Sequence, residues 1–282
     1  MRKPKLLIID APGLCYRAYY AIKNLSTSYG QATNAIYGFV TMLEKLMHTQ
    51  KPDYVAVCFD LGKVTFRQKK FADYKIQRPP MPDELISQIP LIKEIINAYN
   101  LSIFEKEGFE ADDLIATLAE KFASKDLEIV VVTSDKDMLQ IVSKNIFIFN
   151  PYKEEGVLYD EKKVIDFFGV KPKNIIDFLS LTGDNADNIP GIPGIGEKTA
   201  QSILTKTKDL DSLIKNIDHL DLSEKIKESL KRNIDMLNLN KELVKLDTNV
   251  DIDCNLEGLK VTQANTQELY SLFKKLEFKK LI

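Results

Sequence analysis

The chain has 282 residues, of which 44% are hydrophobic and 28% charged, and its formal net charge at pH 7 is −2. This composition is typical of a globular protein with one large or two modest domains. No apolar run approaches the length of a membrane-spanning helix and no signal peptide is visible, so we expect a cytoplasmic protein. Three dispersed cysteines and two isolated histidines argue against disulfides, a zinc site and Ser-His or Cys-His catalysis.

Three short apolar runs predict buried strands, and each of them ends in aspartate. The runs end at Asp10, at Asp60 and at the pair Asp135 and Asp137. Helical patterns over 14–22, 33–47 and 82–100 separate them, the last interrupted by Pro90. Alternating strands and helices predict an α/β fold with a mostly parallel central sheet and helices on both faces. Sites in such sheets lie beyond the carboxyl ends of the strands, although an aspartate there can also be a simple cap.

Another acidic group opens the helix that follows residue 110. Glu110, Asp112 and Asp113 precede apolar residues at helical spacing, which places the acids in the first helical turn. Acids are favourable at this end of a helix dipole. Three of them within four positions also repel one another and require a cation, a proton or solvent. On this stretch alone, capping and metal binding both remain open.

Residues 61–82 form a basic segment with few aliphatic residues, and we expect it to be mobile and exposed. Charge runs are usually solvated faces. Basic residues interleaved with aromatic ones also suit contact with a nucleic-acid backbone and stacking on bases. The basic residues are Lys63, Arg67, Lys69, Lys70, Lys75 and Arg78, and the aromatic ones are Phe66, Phe71 and Tyr74.

After residue 159 the pattern is helical, with helices over 161–168 and 173–181 and near 209–214, 222–236, 238–246 and 265–276. Between them, Gly191, Gly194 and Gly196 precede Lys198 and predict a tight hairpin whose amides can face an anion. A plain interhelical turn is the alternative. Just upstream, the spacing of Asp184 and Asp187 would place both carboxylates on one face of a helical turn, where capping is the competing role.

Nine acids are therefore candidates for one cluster. Oxygen ligands without histidine or cysteine select Mg²⁺ or Mn²⁺. Two or more such ions bridging a phosphate would activate water and stabilise the leaving oxygen, so the predicted reaction is phosphodiester hydrolysis. Without these acids the rest of the chain carries a net charge of +7, which is compatible with a polyanionic partner. The nine are Asp10, Asp60, Glu110, Asp112, Asp113, Asp135, Asp137, Asp184 and Asp187.

These stretches resemble the 5′-nuclease (flap endonuclease) family, specifically the 5′→3′ exonuclease domain at the amino end of bacterial DNA polymerase I, here without a polymerase domain. The matching motifs include Leu7-Ile-Ile-Asp10, Glu110-Ala-Asp-Asp113, Thr133-Ser-Asp-Lys-Asp137 and Gly194-Ile-Gly-Glu-Lys-Thr-Ala200. The resemblance covers almost the whole chain. It implies a PIN-like nuclease domain over 1–170 with a helical arch at 61–82. A helical DNA-binding region over 171–282 would follow, with a helix-hairpin-helix (H3TH) at about 186–205.

The resemblance also implies roles for individual residues. The first metal site would use Asp10, Asp60, Glu110, Asp112 and Asp113, and a more distant set would use Asp135, Asp137, Asp184 and Asp187. Lys75, Arg78 and Arg17 would face the scissile phosphate. The residues that would contact DNA are Phe66, Arg67, Lys69, Lys70 and Tyr74 in the arch and Gly191, Gly194, Gly196 and Lys198 in the hairpin, where K⁺ is often bound. Ala11 and Pro12 depart from the family pattern, which usually has glycine after the first aspartate.

The implied function is that of a monomeric, nucleoid-associated structure-specific 5′ nuclease. It would remove 5′ flaps and RNA primers during replication and repair, with a DNA polymerase acting on the same substrates. Three alternative functions fit the sequence less well. A PIN-type ribonuclease would be about half this length, and an aspartyl-phosphate phosphatase would need an Asp-x-Asp loop where Asp10-Ala-Pro stands. A non-catalytic branched-DNA-binding protein would lack a metal ligand or Lys75 and Arg78, all of which are present.

Overall fold

The computed structural model describes residues 2–62, 64–153 and 155–282. Six strands form one sheet in the order β3-β2-β1-β4-β5-β6. Strands β1 to β5 are parallel and β6 pairs antiparallel with β5, which confirms the predicted mostly parallel sheet. The edge strand β6 was not predicted. The strands are β1 (Lys5–Asp10), β2 (Tyr54–Cys58), β3 (Ser102–Phe104), β4 (Glu128–Val132), β5 (Ile146–Asn150) and β6 (Val157–Tyr159).

The α-helices of the described residues follow the predicted pattern closely. The helix expected over 82–100 is interrupted just before Pro90: α4 ends at Ile86, and α5 begins at Ile89 with Pro90 in its first turn. No described helix is both long and apolar enough to cross a membrane. The helices are α1 (Ala11–Ala21), α2 (Asn34–Gln50), α3 (Phe66–Lys70), α4 (Asp83–Ile86), α5 (Ile89–Ala98), α6 (Ala111–Phe122), α7 (Glu161–Phe168), α8 (Ile175–Thr182), α9 (Glu197–Lys206), α10 (Leu210–Asn216), α11 (Glu224–Arg232), α12 (Ile234–Val244) and α13 (Thr266–Lys275).

Two apolar layers cover the two faces of the sheet, and β1 contributes to both. Leu6 and Ile8 pack with α6 and with helices of the second half of the chain, whereas Leu7 and Ile9 pack with α1, α2 and α5. All four side chains are completely buried. Successive side chains of a strand point to opposite faces. The alternation therefore turns Asp10 toward the face that carries α6.

The last helix lies apart from the other helices of the second half of the chain. Helix α13 packs against α5, and its Leu269 and Phe273 belong to the same apolar layer as Leu7 and Ile9. A second contact pairs Lys260 with Tyr54, the first residue of β2. The region predicted over 171–282 therefore divides into a helical part and a final segment that packs on the α/β layer.

The basic segment 61–82 is less exposed than its composition predicts. Arg67 and Tyr74 are 1% and 3% exposed, so the expectation of an exposed segment is wrong at these two positions. The Arg67 guanidinium donates hydrogen bonds to Asp113, and the Tyr74 hydroxyl donates one to Asp187. Within this segment only α3, five residues long, is α-helical among the described residues. Lys63, counted with the basic residues, lies outside the described residues.

Candidate active site at the carboxyl edge of the sheet

Asp10 connects the central strand to the first helix. Its Oδ1 accepts a hydrogen bond from the Gly13 amide at 2.9 Å and its Oδ2 accepts one from the Thr133 hydroxyl at 2.7 Å. A Cβ on residue 13 would lie 2.4 Å from Asp10 Oδ2, so a larger residue there would displace the carboxylate. Ala11 and Pro12 occupy the first turn of α1, where proline is well tolerated. The departure from the family pattern at these two residues thus leaves the Asp10 carboxylate in place.

Asp60 faces the start of α6 across the same edge. Its Oδ1 accepts a hydrogen bond from the Ala111 amide at 2.6 Å, so it satisfies one of the free amides of the first helical turn. Glu110 is the cap residue of α6, and its own amide donates to Asp113 Oδ2 at 3.1 Å. Of the two roles left open by the sequence, capping therefore occurs at this helix end.

Asp113 differs from the other candidate ligands because its carboxylate is already paired. Arg67 donates from Nη1 to Asp113 Oδ2 and from Nη2 to Oδ1, both at 2.7 Å, and both side chains are almost completely buried. The Asp247 amide also donates to Asp113 Oδ1 at 2.9 Å. Burial alone would lower the pKa of Arg67, but Asp113 and Glu110 raise it, so the ion pair persists. The structure thus gives Asp113 and Arg67 a different arrangement from the predicted metal ligand and exposed DNA contact.

Glu110 and Asp187 are linked by side chains of the basic segment. Lys75 Nζ lies 2.9 Å from Glu110 Oε1 and 3.7 Å from Asp187 Oδ2. The Tyr74 hydroxyl contacts Glu110 Oε2 at 3.1 Å and Asp187 Oδ2 at 2.9 Å, and Arg78 pairs with the other Asp187 oxygen. Lys75 has a φ of 57°, and its amide donates to the Asp187 carbonyl at 3.0 Å. The segment therefore lies directly on the acids, with its cations between them.

The more distant acids lie on two neighbouring turns. Asp135 Oδ1 accepts a hydrogen bond from the Asp137 amide at 2.9 Å, and Asp137 begins a 3₁₀ turn over Asp137–Ile141. Lys136 Nζ lies 3.2 Å from Asp184 Oδ2. Asp184 pairs with Ile189 around a tight turn, so the expectation that Asp184 and Asp187 share one face of a helical turn is wrong. Their carboxylates instead contact different cations.

The acids perturb one another across the site. Burial, with Asp135 and Asp60 adding repulsion, raises the pKa of Asp10 to about 6. Burial together with Asp135, Asp184 and Asp187 raises the pKa of Asp137 to about 8. The pKa of Asp112 is raised well above its usual range, first by burial and then by Asp135 and Asp10. Without metal, burial and mutual repulsion therefore favour protonation of some of these carboxylates near neutral pH.

The donor set suits a hard cation, but the carboxylates are not preassembled around one. Among the described residues, no group of three or more His, Cys, Asp or Glu side chains is arranged to hold a metal ion. Asp137 Oδ1 is nevertheless buried without a hydrogen-bond partner, and all candidate donors are oxygens. Lys75 lies between Glu110 and Asp187, whereas Arg78 pairs with Asp187 and Lys136 pairs with Asp184. A divalent ion would fit once these cations move.

This electrostatic arrangement predicts how stability depends on pH. Asp10 and Asp137 have higher pKa values in the folded state than their ordinary value of 3.8, so the folded protein binds more protons than the unfolded one. Without metal, the free energy of unfolding should fall as the pH rises from about 4, through about 6 for Asp10 and about 8 for Asp137. The slope is up to about 1.4 kcal/mol per pH unit for each proton. Thermal unfolding in EDTA between pH 5 and 8 measures it.

Mg²⁺ provides the control for that experiment. Because metal binding needs ionised carboxylates, Mg²⁺ should raise the melting temperature more at pH 8 than at pH 5. Asp137→Asn should flatten the upper part of the EDTA profile. A stability in EDTA that is constant or increases over this pH range would contradict the assignment.

The glycine-rich hairpin joins α8 to α9. Gly183 and Gly191 approach so closely that a Cβ on Gly191 would lie 2.2 Å from the Thr182 carbonyl oxygen. Gly194 has a φ of 82°, and a Cβ on either Gly194 or Gly196 would meet no atom within 4 Å. Lys198 is exposed in the first turn of α9. The backbone of the hairpin is therefore open on the side of Gly194 and Gly196.

The remaining predicted contact residues are variably exposed. Arg17 is exposed on α1, with its guanidinium 4.7 Å from the ring centre of Tyr152. Lys69 and Lys70 are exposed on α3, whereas Phe66 is half-buried beneath the Arg67 guanidinium. Sequence reasoning missed Lys136 and Tyr152. Lys136 could have been noticed because it stands between the two aspartates Asp135 and Asp137.

Comparison with known proteins shows the family of the chain. Residues 5–169 match the family model of the 5′-3′ exonuclease N-terminal resolvase-like domain, and residues 170–267 match the 5′-3′ exonuclease C-terminal SAM fold. The chain is 42% identical to a 5′-3′ exonuclease of Aquifex aeolicus, covering 98% of this chain and 93% of the relative. It is 40% identical to DNA polymerase I of Caldicellulosiruptor bescii, covering 99% of this chain but only 33% of that polymerase.

Solved structures show the same fold at low sequence identity. The T5 D15 protein co-crystallised with metal ions matches with a TM-score of 0.75 at 18% identity, over 97% of this chain and 98% of that one. The catalytic core of Rad2 in complex with DNA substrate matches with a TM-score of 0.65 at 15% identity, over 98% and 89%. Together with the two family models, which account for residues 5–267, these comparisons show that the chain belongs to the 5′-3′ exonuclease family.

Proposed function

We propose that this 5′-3′ exonuclease uses Mg²⁺ or Mn²⁺ to cut 5′ flaps near the junction of single strand and duplex, and to trim 5′ ends. The observation that carries the proposal is the set of oxygen donors at one edge of the sheet, which are paired with Lys75, Arg78 and Lys136. Two or more divalent ions, when bound, would activate water and stabilise the leaving oxygen of a phosphodiester. RNA primers in replication and flaps in repair are the natural substrates of such an activity.

The ligands divide into two groups under this proposal. Asp10, Asp60, Glu110 and Asp112 would hold the first ion, and the acids at 135, 137, 184 and 187 would hold the second group. Burial and repulsion from Asp135 both raise the pKa of Asp10 and of Asp112, so a nearby ion would stabilise the charged forms of these carboxylates. Asp113 is left out of the ligand set, since both its oxygens accept hydrogen bonds from Arg67.

Lys75 and Arg78 would orient the scissile phosphate. Their present carboxylate partners, Glu110 and Asp187, are candidate metal ligands, so an ion and a phosphate arriving together would exchange partners with them. Lys75 would then stabilise charge that develops on the phosphate. Arg17, Lys69 and Lys70 are exposed and would contact the DNA backbone. Phe66, on the same helix as Lys69 and Lys70, would contact DNA beside them. Tyr74 would hold the segment in place rather than stack on a base, because its ring is buried.

The hairpin would hold the downstream duplex through its backbone amides, with Lys198 near the phosphates and K⁺ bound beside the amides. Gly196→Ala tests this directly. The added methyl meets no protein atom, so stability should change by less than about 1 kcal/mol, the cost of alanine at a helix cap. It would obstruct a phosphate, so duplex binding should weaken by about fivefold, roughly 1 kcal/mol. Equilibrium binding of labelled duplex at fixed salt measures this effect.

Gly258→Ala is the matched control, because this glycine is exposed near Ser102 at the start of β3, on the opposite edge of the sheet. It should leave both stability and duplex binding unchanged. Unchanged binding in Gly196→Ala would remove the hairpin from the DNA interface.

Cleavage of a labelled 5′-flap duplex tests the proposed function. With Mg²⁺, one main product near the junction is expected, which is absent in EDTA and absent for Asp10→Ala. Tight binding of the same flap without cleavage in Mg²⁺ or Mn²⁺ would favour a non-catalytic branched-DNA-binding protein.

A DNA polymerase would act on the same junctions, and a monomer located with the nucleoid would suffice for this role. The chain spans about a third of its polymerase I relatives, so this partnership is part of the proposal.

A further inference from the structure

One helix makes buried polar contacts with both the hairpin and the acidic site. Asn240 lies on α12 and is completely buried. Its Nδ2 donates to the Pro190 carbonyl at 2.7 Å and to the Ser180 carbonyl at 3.0 Å. Ser180 lies on α8, the helix before the hairpin, and Pro190 directly precedes Gly191. The Asn240 side chain therefore joins α12 both to α8 and to the start of the hairpin. Helices α8 and α12 also pack against each other.

The carboxyl end of the same helix contacts the first group of acids through Arg67. The Arg67 Nε donates to the Leu243 carbonyl at 2.8 Å and Nη2 donates to the Lys245 carbonyl at 2.9 Å. The last carbonyls of a helix lack partners within it and carry partial negative charge, so a guanidinium is favourable there. The same guanidinium pairs with Asp113 and reaches Glu110 Oε2 at 3.3 Å.

The end of α12 contacts the second group of acids through Gln140. Gln140 Nε2 donates to the Val244 carbonyl at 3.1 Å and to the Asp137 carbonyl at 3.0 Å. Its Oε1 accepts from the Leu246 amide at 3.1 Å. One helix therefore joins the hairpin to the two segments that carry the candidate metal ligands.

We propose that Asn240, Arg67 and Gln140 are positioning residues that couple the hairpin's grip on duplex DNA to the placement of the catalytic carboxylates. The coupling rests on the proposed function, in which the hairpin binds the downstream duplex. Duplex binding fixes the hairpin, Asn240 transfers that constraint to α12, and the two contacts at its carboxyl end hold Glu110 and Asp137 in position. Cleavage becomes faster when the enzyme holds a duplex than when it holds an isolated 5′ end.

The test compares two flap substrates, one with a long downstream duplex and one whose duplex is too short to reach the hairpin. Single-turnover cleavage is measured in Mg²⁺ with saturating enzyme, so that weaker binding cannot lower the rate. The unsubstituted enzyme should cleave the long-duplex substrate faster. Asn240→Leu should remove about tenfold of that advantage, a typical coupling, and change the short-substrate rate by less than about twofold.

Three further variants separate coupling from a structural role. Gln140→Ala alters a partly exposed side chain, so it decides the question if Asn240→Leu fails to fold. The double variant should lose little more of the advantage than either single variant, because both act through one helix. Asn238→Leu is the control, since this residue is exposed on the same helix and should leave the advantage unchanged.

The outcomes are distinguishable. Equal losses on both substrates in Asn240→Leu and Gln140→Ala would overturn the coupling and leave a structural role only. Equal rates of the unsubstituted enzyme on both substrates would also overturn it, while the nuclease proposal stands. Absence of cleavage on either substrate would instead refute the proposed function, and the coupling with it.

Discussion

Replacing Asp112 by asparagine is expected to abolish cleavage while making the metal-free protein more stable. The proposed first ion would lose a charged ligand, so the single-turnover rate should fall by roughly three orders of magnitude, about 4 kcal/mol. In the metal-free state the carboxylate is a liability, since burial, Asp135 and Asp10 all disfavour its charged form and raise its pKa. A neutral amide of the same shape removes this repulsion. Each kcal/mol gained would raise the melting temperature by roughly 2–4 °C.

Flap cleavage in Mg²⁺ and thermal unfolding in EDTA at pH 8 measure the two effects on the same preparation. Asp126→Asn is the control, because this aspartate is exposed in the loop before β4 and should change neither quantity. Full activity of Asp112→Asn would remove Asp112 from the ligand set. Inactivity with a lowered melting temperature would mean that the carboxylate supports the fold.

Replacing Asp113 by asparagine is expected to have the opposite profile, dominated by lost stability. Arg67 would keep its buried charge without a bidentate partner, and breaking a buried ion pair from one side costs about 3–5 kcal/mol. Arg67→Met should be similarly destabilising, because it leaves the Asp113 carboxylate buried and unpaired. The double variant Arg67→Met with Asp113→Leu should recover part of the loss, since no unpaired charge remains. Chemical unfolding of the unsubstituted protein, Arg67→Met, Asp113→Leu and the double variant closes a cycle and gives the coupling energy.

Arg232→Ala is the control for that series. It removes an arginine from an exposed ion pair with Glu228, and exposed pairs contribute at most about 1 kcal/mol. If Asp113→Asn lost activity with no change in stability, Asp113 would return to the ligand set and the account of the buried pair would be wrong.

Much of the fold was predictable because the signals are local. The apolar runs before Asp10 and Asp60, and the interruption at Pro90, each depend on neighbouring residues only, and the structure confirms them. The convergence of the acids followed from the rule that parallel strands end at one edge. The edge strand β6 was missed because it has three residues and lies beside a helical pattern.

The site was predictable in its composition but not in its pairing. Composition could not show that Arg67 reaches Asp113 and the carbonyl end of α12, residues separated by 46 and 176 positions in sequence. A basic run looks solvated until its individual partners are known. The same limit applies to Asn240, whose sequence context is an ordinary charged helix. Most differences between the predicted and observed roles of these residues therefore come from long-range polar contacts.

The two-layer packing of β1 also constrains how this chain can vary. Residues 6–9 alternate between the two apolar layers, and that alternation directs the following carboxylate toward α6. Exchanges among leucine, isoleucine and valine would keep the direction. Inserting or deleting a single residue would send Asp10 to the opposite face while leaving an equally apolar strand. Viable descendants of this sequence should therefore differ freely in the identity of these residues but hardly ever in their number.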